Sequence, residues 1–240
     1  MSVLFIIKLY LIYIGNVMEI LDQIPVEINA EQVLNILHMD KGGRYSEIVQ
    51  ELIDQVLPVL HPKAIYDAQY VEHIDRENVE IGGVRFTSRI LRVNLDNVGR
   101  VFPYIATSGT EAESLGIPDD DLMGKFIVDT IKEIGLGVAC HYLWEHIQNK
   151  YKVSKMSAMN PGSLEDWPIS QQKPLFSVFG DVEKLIGVKL TDSFLMIPIK
   201  SVSGVYFPTE ASFASCQLCQ REKCPNRRAK YDPKMMEKYD

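Results

Sequence analysis

Three cysteines near the C-terminus are the residues whose type and spacing most directly suggest chemistry. Cys216, Cys219 and Cys224 form a C-x2-C-x4-C pattern in a chain that contains one other cysteine, Cys140. Thiolates are soft ligands that hold zinc and iron–sulfur clusters. We predict a metal centre with these three ligands, completed by Cys140 if its helix packs nearby.

The same pattern leaves more than one kind of centre open. The four-residue gap departs from the C-x2-C-x2-C run of many iron–sulfur sequences. Structural zinc sites usually use two C-x2-C pairs, and this chain has one. An iron–sulfur cluster or zinc is therefore predicted, with free thiols, redox-active or not, as the alternative. Basic side chains in the segment would offset the charge of a thiolate centre: Arg221, Lys223, Arg227 and Arg228.

A second candidate site precedes the cysteines. Two β-favouring runs, 188–199 and 205–207, flank the small-residue segment Ser201-Val202-Ser203-Gly204. Small side chains let another group approach the backbone closely, and their hydroxyl and N–H groups can bond to it. A β-hairpin turn packed on a core helix is the alternative interpretation.

This stretch resembles the activation domain of cobalamin-dependent methionine synthase. The resemblance is specific over about residues 160–208, weaker over 119–150, and general in pattern before that. The matching residues are Lys189-Leu190-Thr191-Asp192-Ser193-Phe194, Met196, Pro198, Ser201-Val202-Ser203-Gly204 and Tyr206-Phe207.

The resemblance implies an α+β fold in which a twisted antiparallel sheet carries packed helices. It also implies a surface that faces a corrinoid or another ligand. The residues assigned to that surface are Thr191, Asp192, Ser193, Met196, Ser201, Val202, Ser203, Gly204, Pro161 and Gly162.

The family's S-adenosylmethionine contacts are only partly present. Its Arg-Pro-x-Pro-Gly-Tyr motif keeps Pro161-Gly162 here, but Ala158 replaces the arginine and Ser163 the tyrosine. A glutamate of the family falls near Gly137, and a tyrosine pair near Phe213-Ala214. Alanine cannot replace a charge-assisted arginine–carboxylate bond. We therefore predict weak or absent binding of S-adenosylmethionine.

The function implied by the resemblance is that of an accessory protein in cobalamin-dependent, methionine synthase-type methyl transfer. It would dock on a corrinoid protein or methyltransferase and assist reductive reactivation, taking electrons from a donor through a cysteine-bound iron–sulfur cluster. The alternatives are a non-catalytic corrinoid-binding module with structural zinc, and a methyl-donor domain that uses S-adenosylmethionine. The sequence shows no nucleophile elbow, phosphate-binding loop or dinucleotide fingerprint.

Net charge and hydropathy limit the partners and the membrane association that we predict. The 240 residues carry a net charge of −7, which argues against nucleic acid as a partner. Residues 1–17 are apolar but shorter than the ~20 residues that span a bilayer. We predict a mis-assigned start or a loose extension there, with a weak membrane anchor as the alternative. The body of the protein is predicted to be cytoplasmic. Residues 18–210 are predicted to form the activation-domain-like unit and 211–240 a basic, cysteine-containing tail.

Local patterns predict the elements that position these residues. Asn29 with Gln32 has the spacing of a capping box, and a second helix is predicted over 45–57. Short β-favouring runs at 64–74, 79–81, 84–95 and 101–107 predict antiparallel strands, because parallel pairs need long crossovers. Acidic residues at 119–121 begin a predicted helix that extends to about 151. A further helix is predicted over 174–186.

Overall fold

The computed structural model describes residues 18–41, 43–210, 213–224 and 227–239. The predicted extension at 1–17 lies outside this range. Ten strands occur in the described residues: β1 Glu19–Leu21, β2 Lys63–Tyr66, β3 Gln69–His73, β4 Asn78–Ile81, β5 Val84–Thr87, β6 Arg100–Thr107, β7 Met156–Met159, β8 Lys189–Leu190, β9 Met196–Ile197 and β10 Ser201–Pro208. The α-helices there are α1 Ala30–Leu37, α2 Arg44–Val56, α3 Arg89–Asn94, α4 Leu122–Tyr151, α5 Gln172–Ser177 and α6 Val182–Ile186.

Eight of the strands form one antiparallel sheet. Along its main path the order is β1-β2-β6-β3-β4-β5, while β10 pairs with β6 and β7. Strand β6 is therefore central, since it bonds to β10 along most of its length, to β2 along its second half and to β3 at its start. The predicted α+β fold class, with an antiparallel sheet and packed helices, is confirmed.

The long helix α4 covers one face of this sheet. Ala139, Leu143 and Ile147 repeat at intervals of four residues and are fully buried against the sheet. Such a stripe places apolar side chains on one face of a helix. At the other end of α4, Ile127 and Ile131 pack with α1 and α2 in a second cluster. The helix thereby joins the two halves of the core.

The predicted helix starts are present. Asn29 and Gln32 form the capping box at α1, each side chain bonded to the other residue's backbone N–H at 3.0 Å. Asp121 caps α4 by accepting a 2.8 Å bond from the N–H of Gly124. Asp121 is thus explained by capping, and Asp119 pairs with Lys125 at 2.6 Å.

The run predicted as a strand over 84–95 is wrong in its second half. Strand β5 ends at Thr87, and α3 begins directly after Ser88. Ser88 caps this helix, and the carboxylate of Asp166 accepts bonds from the Ser88 hydroxyl and from the N–H groups of Arg89 and Ile90. A residue distant in sequence therefore satisfies the helix start and overrides local β propensity.

The helix predicted over 174–186 is also not continuous. It consists of the short helices α5 and α6, separated by Gly180 with a φ of 77°. Glycine adopts this left-handed conformation without the penalty of a Cβ. Asp181 then caps α6 by accepting a bond from the Lys184 N–H.

The C-terminal tail is docked on the domain. The N–H of Phe213 donates a 3.0 Å bond to the Ser157 hydroxyl, and Tyr239 donates a 2.8 Å bond to the side chain of Asn94. Leu218 and Tyr239 are buried in the same core cluster as Trp167. Within the residues described, no helix combines the length and apolar composition that crossing a bilayer requires.

Candidate functional site

A cavity of about 380 Å³ lies where strands β6, β7 and β10 meet helix α4 and the tail. Its aromatic side is built from neighbouring strands. Tyr104 of β6 and Tyr206 of β10 stack with centroids 3.9 Å apart and planes 11° apart. Tyr104 pairs in register with Gly204, so Tyr206 is its diagonal neighbour, within reach of a large side chain.

Helix α4 forms the facing wall. Trp144 meets Tyr206 edge-on at 5.0 Å between centroids, and Cys140 lies one turn earlier on the same helix. Edge-on contact of this kind fixes ring orientation. Residues 140 and 144 share a face because they are four positions apart. The cavity is therefore lined by three aromatic side chains held by a sheet and a helix.

Asn160 connects the strands at the inner end of the cavity. Its side-chain amide donates to the Tyr104 hydroxyl at 2.9 Å and to the Ser203 carbonyl at 2.8 Å. A Cβ at Gly204 would lie 2.4 Å from this amide nitrogen and 2.5 Å from the Met159 carbonyl oxygen. The close approach at Gly204 is thus made by the protein's own neighbouring strand.

Burial keeps the two tyrosine hydroxyls and the cysteine thiol of the cavity wall neutral at pH 7. Burial raises the pKa of both Tyr104 and Tyr206. Burial also raises the pKa of the Cys140 thiol to about 11, against an opposing effect of the Arg228 charge. Tyrosine hydroxyls and a thiol in this state are donors and acceptors, not anions. Arg228 adds a guanidinium to this lining, which also contains His141, 3.4 Å from the carboxylate of Glu145.

The predicted ligand-facing residues are distributed over three places. Val202 lines the cavity, together with Ala158. Ser203 and Gly204 are buried inside β10, and the Ser201 hydroxyl lies 2.9 Å from that of Thr107. The other residues lie in turns or short strands outside the cavity walls: Thr191, Asp192, Ser193, Met196, Pro161 and Gly162.

The turn between β8 and β9 uses several of these side chains for its own geometry. The Thr191 hydroxyl accepts a 3.0 Å bond from the Leu195 N–H and lies 3.1 Å from the Ser193 hydroxyl. Phe194 has a φ of 62°. At the other turn, the N–H of Gly162 donates to the Trp167 carbonyl at 2.7 Å. These polar groups hold turns and leave the β8–β9 tip exposed.

The four cysteines are free thiols. In the described part of the chain, no group of three or more His, Cys, Asp or Glu side chains is placed to hold a metal ion. Cys140 lies in the cavity wall, while Cys216, Cys219 and Cys224 lie in the tail. As placed, the four thiols do not form a ligand set, so the metal centre gains no support from geometry and stays a prediction.

Cys216 nevertheless has an environment unlike that of Cys140. Burial alone would raise the pKa of Cys216, but N–H bonds from Arg228 and Ala229 and the charges of Arg228 and Arg227 lower it from its ordinary value. The Arg228 N–H lies 3.4 Å from the Cys216 sulfur. Cationic neighbours favour the thiolate. The tail therefore stabilises a charged sulfur, whereas the cavity wall keeps its sulfur neutral.

Comparison with known proteins agrees with this architecture. A family model described as "Vitamin B12 dependent methionine synthase, activation domain" matches residues 145–230, a stretch that contains β7, β10, the three tail cysteines and Arg228. The predicted resemblance is confirmed. No curated protein sequence matches the chain.

A solved structure shows the same fold. It is described as "Crystal Structure of the MetH Reactivation Domain bound to AdoHcy", and it covers 83% of this chain and 81% of its own with a TM-score of 0.56. Sequence identity is 15%, so this likeness establishes the fold alone. The shared fold covers most of the chain.

Sequence patterns missed three residues of the cavity. Tyr104 lies in a recognised β run, and its alternation with Phe102 and Ala106 was a usable signal for one face. Trp144 lies one turn from Cys140 on a recognised helix. Nothing local pointed to Asn160, because its two bonds go to residues 56 and 43 positions away.

Proposed function

We propose that this chain assists the reductive reactivation of a corrinoid protein in a cobalamin-dependent methyl-transfer system. The match of residues 145–230 to the activation-domain family carries the proposal. The corrinoid, held by the partner, supplies the methyl-transfer chemistry and needs an electron when its cobalt has been oxidised. In this proposal residues 18–210 form the docking unit and residues 211–240 the cysteine-containing tail.

The β8–β9 hairpin is the docking surface in this proposal. Three apolar side chains project from it, with exposed fractions of 62% for Leu195, 50% for Ile197 and 80% for Ile199. Contiguous exposed apolar side chains mark interaction sites more often than isolated ones do. The hairpin is anchored to α4, because Lys200 pairs with Asp129 at 2.8 Å and with Glu133 at 3.2 Å. The surface is thus held rigidly enough to dock.

The test is calorimetric titration of the full chain with a cobalamin-loaded corrinoid-binding domain. Replacing Leu195 and Ile199 together by aspartate should weaken binding at least about tenfold, since buried apolar anchors dominate interfaces. Ile36→Asp is the matched control, because Ile36 is 54% exposed on α1. Equal affinity of all three proteins would reject the hairpin, and no binding by the wild-type chain would reject the function.

A second candidate function is that of a domain that binds S-adenosylmethionine as methyl donor. It is favoured by the fold shared with the AdoHcy-bound reactivation domain and by the aromatic cavity between the β6–β10 strands and α4. The loss of the arginine at Ala158 opposes it. Equilibrium dialysis with S-adenosylmethionine distinguishes the two: affinity in the micromolar range supports the methyl-donor function.

An iron–sulfur cluster or zinc bound by Cys216, Cys219, Cys224 and Cys140 is a finer form of the proposal. Its support is the spacing and the cationic surroundings of Cys216. Because these thiols do not converge here, no electron-transfer step is assigned to them. Anaerobic purification with iron, sulfide and zinc analysis tests it: a brown, iron-containing protein supports the redox form, and a colourless protein with about one zinc per chain supports a binding module.

A further inference from the structure

We infer that Arg228 is the anion-binding residue of a small-molecule site in the aromatic cavity, and that the ligand is a nucleoside that carries a carboxylate. The inference deepens the second candidate function, on which it rests. Arg228 belongs to the tail, whereas the rest of the cavity is formed by strands and by helix α4.

Position is the first argument. Arg228 lines the same cavity as the stacked pair Tyr104 and Tyr206, and β7 contributes the short side chain of Ala158 to it. The tail is tied to the same strand, because Ala214 forms a β-bridge with Ala158. A short side chain on the strand thus leaves space that a long side chain from the tail enters.

Charge is the second argument. Among the described residues, no acidic side chain forms an ion pair with Arg228. The side chains that its charge affects are the neutral Cys140, Tyr104 and Tyr206 in the cavity and the Cys216 thiol in the tail, whose pKa it lowers. An unpaired guanidinium beside apolar rings is suited to a carboxylate, with which it forms paired charge-assisted bonds.

Shape is the third argument. Tyr104 and Tyr206 are almost fully buried and stack on each other, whereas Trp144 is partly exposed, so a flat ring can pack against the indole. Asn160 holds Tyr104 and the Ser203 carbonyl in place through its two hydrogen bonds. A ligand that has both a flat ring and a carboxylate therefore matches a cavity lined by Trp144 and Arg228. A simple inorganic anion would leave the aromatic wall without a contact.

Arg227 holds Arg228 in place. Its guanidinium donates to the carbonyl oxygens of Cys216 at 3.1 Å, Cys219 at 3.2 Å and Ala229 at 3.2 Å, and also to that of Arg221. These bonds close the loop between the cysteines and Ala229. Arg227 is thus a positioning residue, and Arg228, directly after it, faces the cavity.

Two probes that share a nucleoside test the assignment. S-adenosylhomocysteine carries a carboxylate, and 5′-methylthioadenosine does not. Dissociation constants are measured by calorimetry for the full wild-type chain, Arg228→Ala, Arg228→Gln and the control Lys223→Ala, which removes one positive charge from an exposed side chain of the same tail. Thermal unfolding of each variant establishes that it is folded.

We expect Arg228→Ala and Arg228→Gln to weaken S-adenosylhomocysteine binding about 10- to 100-fold. Binding of 5′-methylthioadenosine should change less than about twofold, because that ligand has no group for the guanidinium. Lys223→Ala should leave both affinities unchanged. Equal losses for the two probes, or no loss for either, would overturn the role of Arg228 while leaving the cavity as a nucleoside site.

If the wild-type chain binds neither probe at millimolar concentration, both this inference and the methyl-donor candidate are overturned. The corrinoid-docking proposal is judged separately, because its titration contains no nucleoside and its variants lie in the hairpin.

Discussion

The two sides of the cavity are positioned by different means. Tyr104 and Tyr206 are placed by strand register in the centre of an eight-stranded sheet, where every residue is held by neighbours on both sides. Arg228 is placed by one loop, whose main cross-links are the bonds from Arg227. The sheet side tolerates little change in shape, whereas the tail side depends on a single guanidinium.

The largest effect is expected on the sheet side. In Gly204→Ala the new Cβ would lie within 2.5 Å of the Met159 carbonyl oxygen, so β7 must move away from β10. We expect the free energy of unfolding to fall by about 2–3 kcal/mol, the upper part of the typical cost of overpacking, because the clash is with backbone. Urea denaturation measures it.

Gly99→Ala is the matched control, because nothing lies within 4 Å of a Cβ at Gly99. Its free energy of unfolding should change by less than about 0.5 kcal/mol, as for ordinary surface substitutions. If the two variants are equally stable, the contact between β7 and β10 at Gly204 is not tight, and the contrast between the two sides of the cavity disappears.

A smaller and more local effect is expected on the tail side. Arg227→Ala removes the bonds to four carbonyl groups at once, so the loop that contains Cys216 and Ala229 should open while the sheet stays folded. Hydrogen exchange followed by mass spectrometry should show at least about tenfold faster exchange in tail peptides and no change in β6 or β10.

The control for this variant is Arg221→Ala. Arg221 is exposed and contacts Arg227 through its backbone carbonyl, which the substitution keeps. Its tail should exchange like that of the wild type. Faster exchange throughout the chain in Arg227→Ala would mean that tail and sheet unfold as one unit, contrary to the comparison.

The sheet side was largely predictable from sequence because its determinants are local. The capping box at Asn29 and the acidic start of α4 both depend on residues within a few positions. Alternation along β6 and β10 also places their aromatic side chains. Where a distant group intervened, as Asp166 does at α3, the local pattern predicted the wrong element.

The tail side was not predictable, because its contacts join residues that are far apart in the sequence. Nothing near Ala158 indicates that a side chain 70 positions later faces it. The family motif predicts an arginine where this chain has Ala158, whereas the fold brings the Arg228 guanidinium to the lining of the same cavity. Loop contacts through backbone carbonyls leave no trace in residue type, because every residue has a carbonyl.

The smallest predicted effect is one of pH, because charged side chains bond to different kinds of group in the tail and at the β1 edge of the sheet. In the tail, Arg227 bonds to carbonyl groups, which do not titrate. At the edge of the sheet, the Glu19 carboxylate joins β1 to α4 through the Tyr66 hydroxyl at 2.7 Å, His146 at 3.2 Å and Lys150. Acid should therefore loosen the β1 edge and leave the tail loop unchanged.

The direction of this effect of pH on stability follows from the pKa of Glu19. Burial alone would raise it, but bonds from Lys150 and Tyr66 and the charge of His146 lower it below its ordinary value of 4.5. A carboxyl group with a lowered pKa stabilises the folded state above its unfolded-state pKa, and this stabilisation is lost as the pH falls through the folded-state pKa.

Glu19→Gln should lower the free energy of unfolding by roughly 1 kcal/mol at pH 7, and by less as the pH falls below 4.5. Urea denaturation at several pH values measures this difference. Asp54→Gln is the control, since Asp54 is exposed and accepts one bond from Gln50 on its own helix. A difference between wild type and Glu19→Gln that stays constant between pH 7 and pH 3 would show that Glu19 acts by shape alone, and the β1 edge would then resemble the tail in being insensitive to pH.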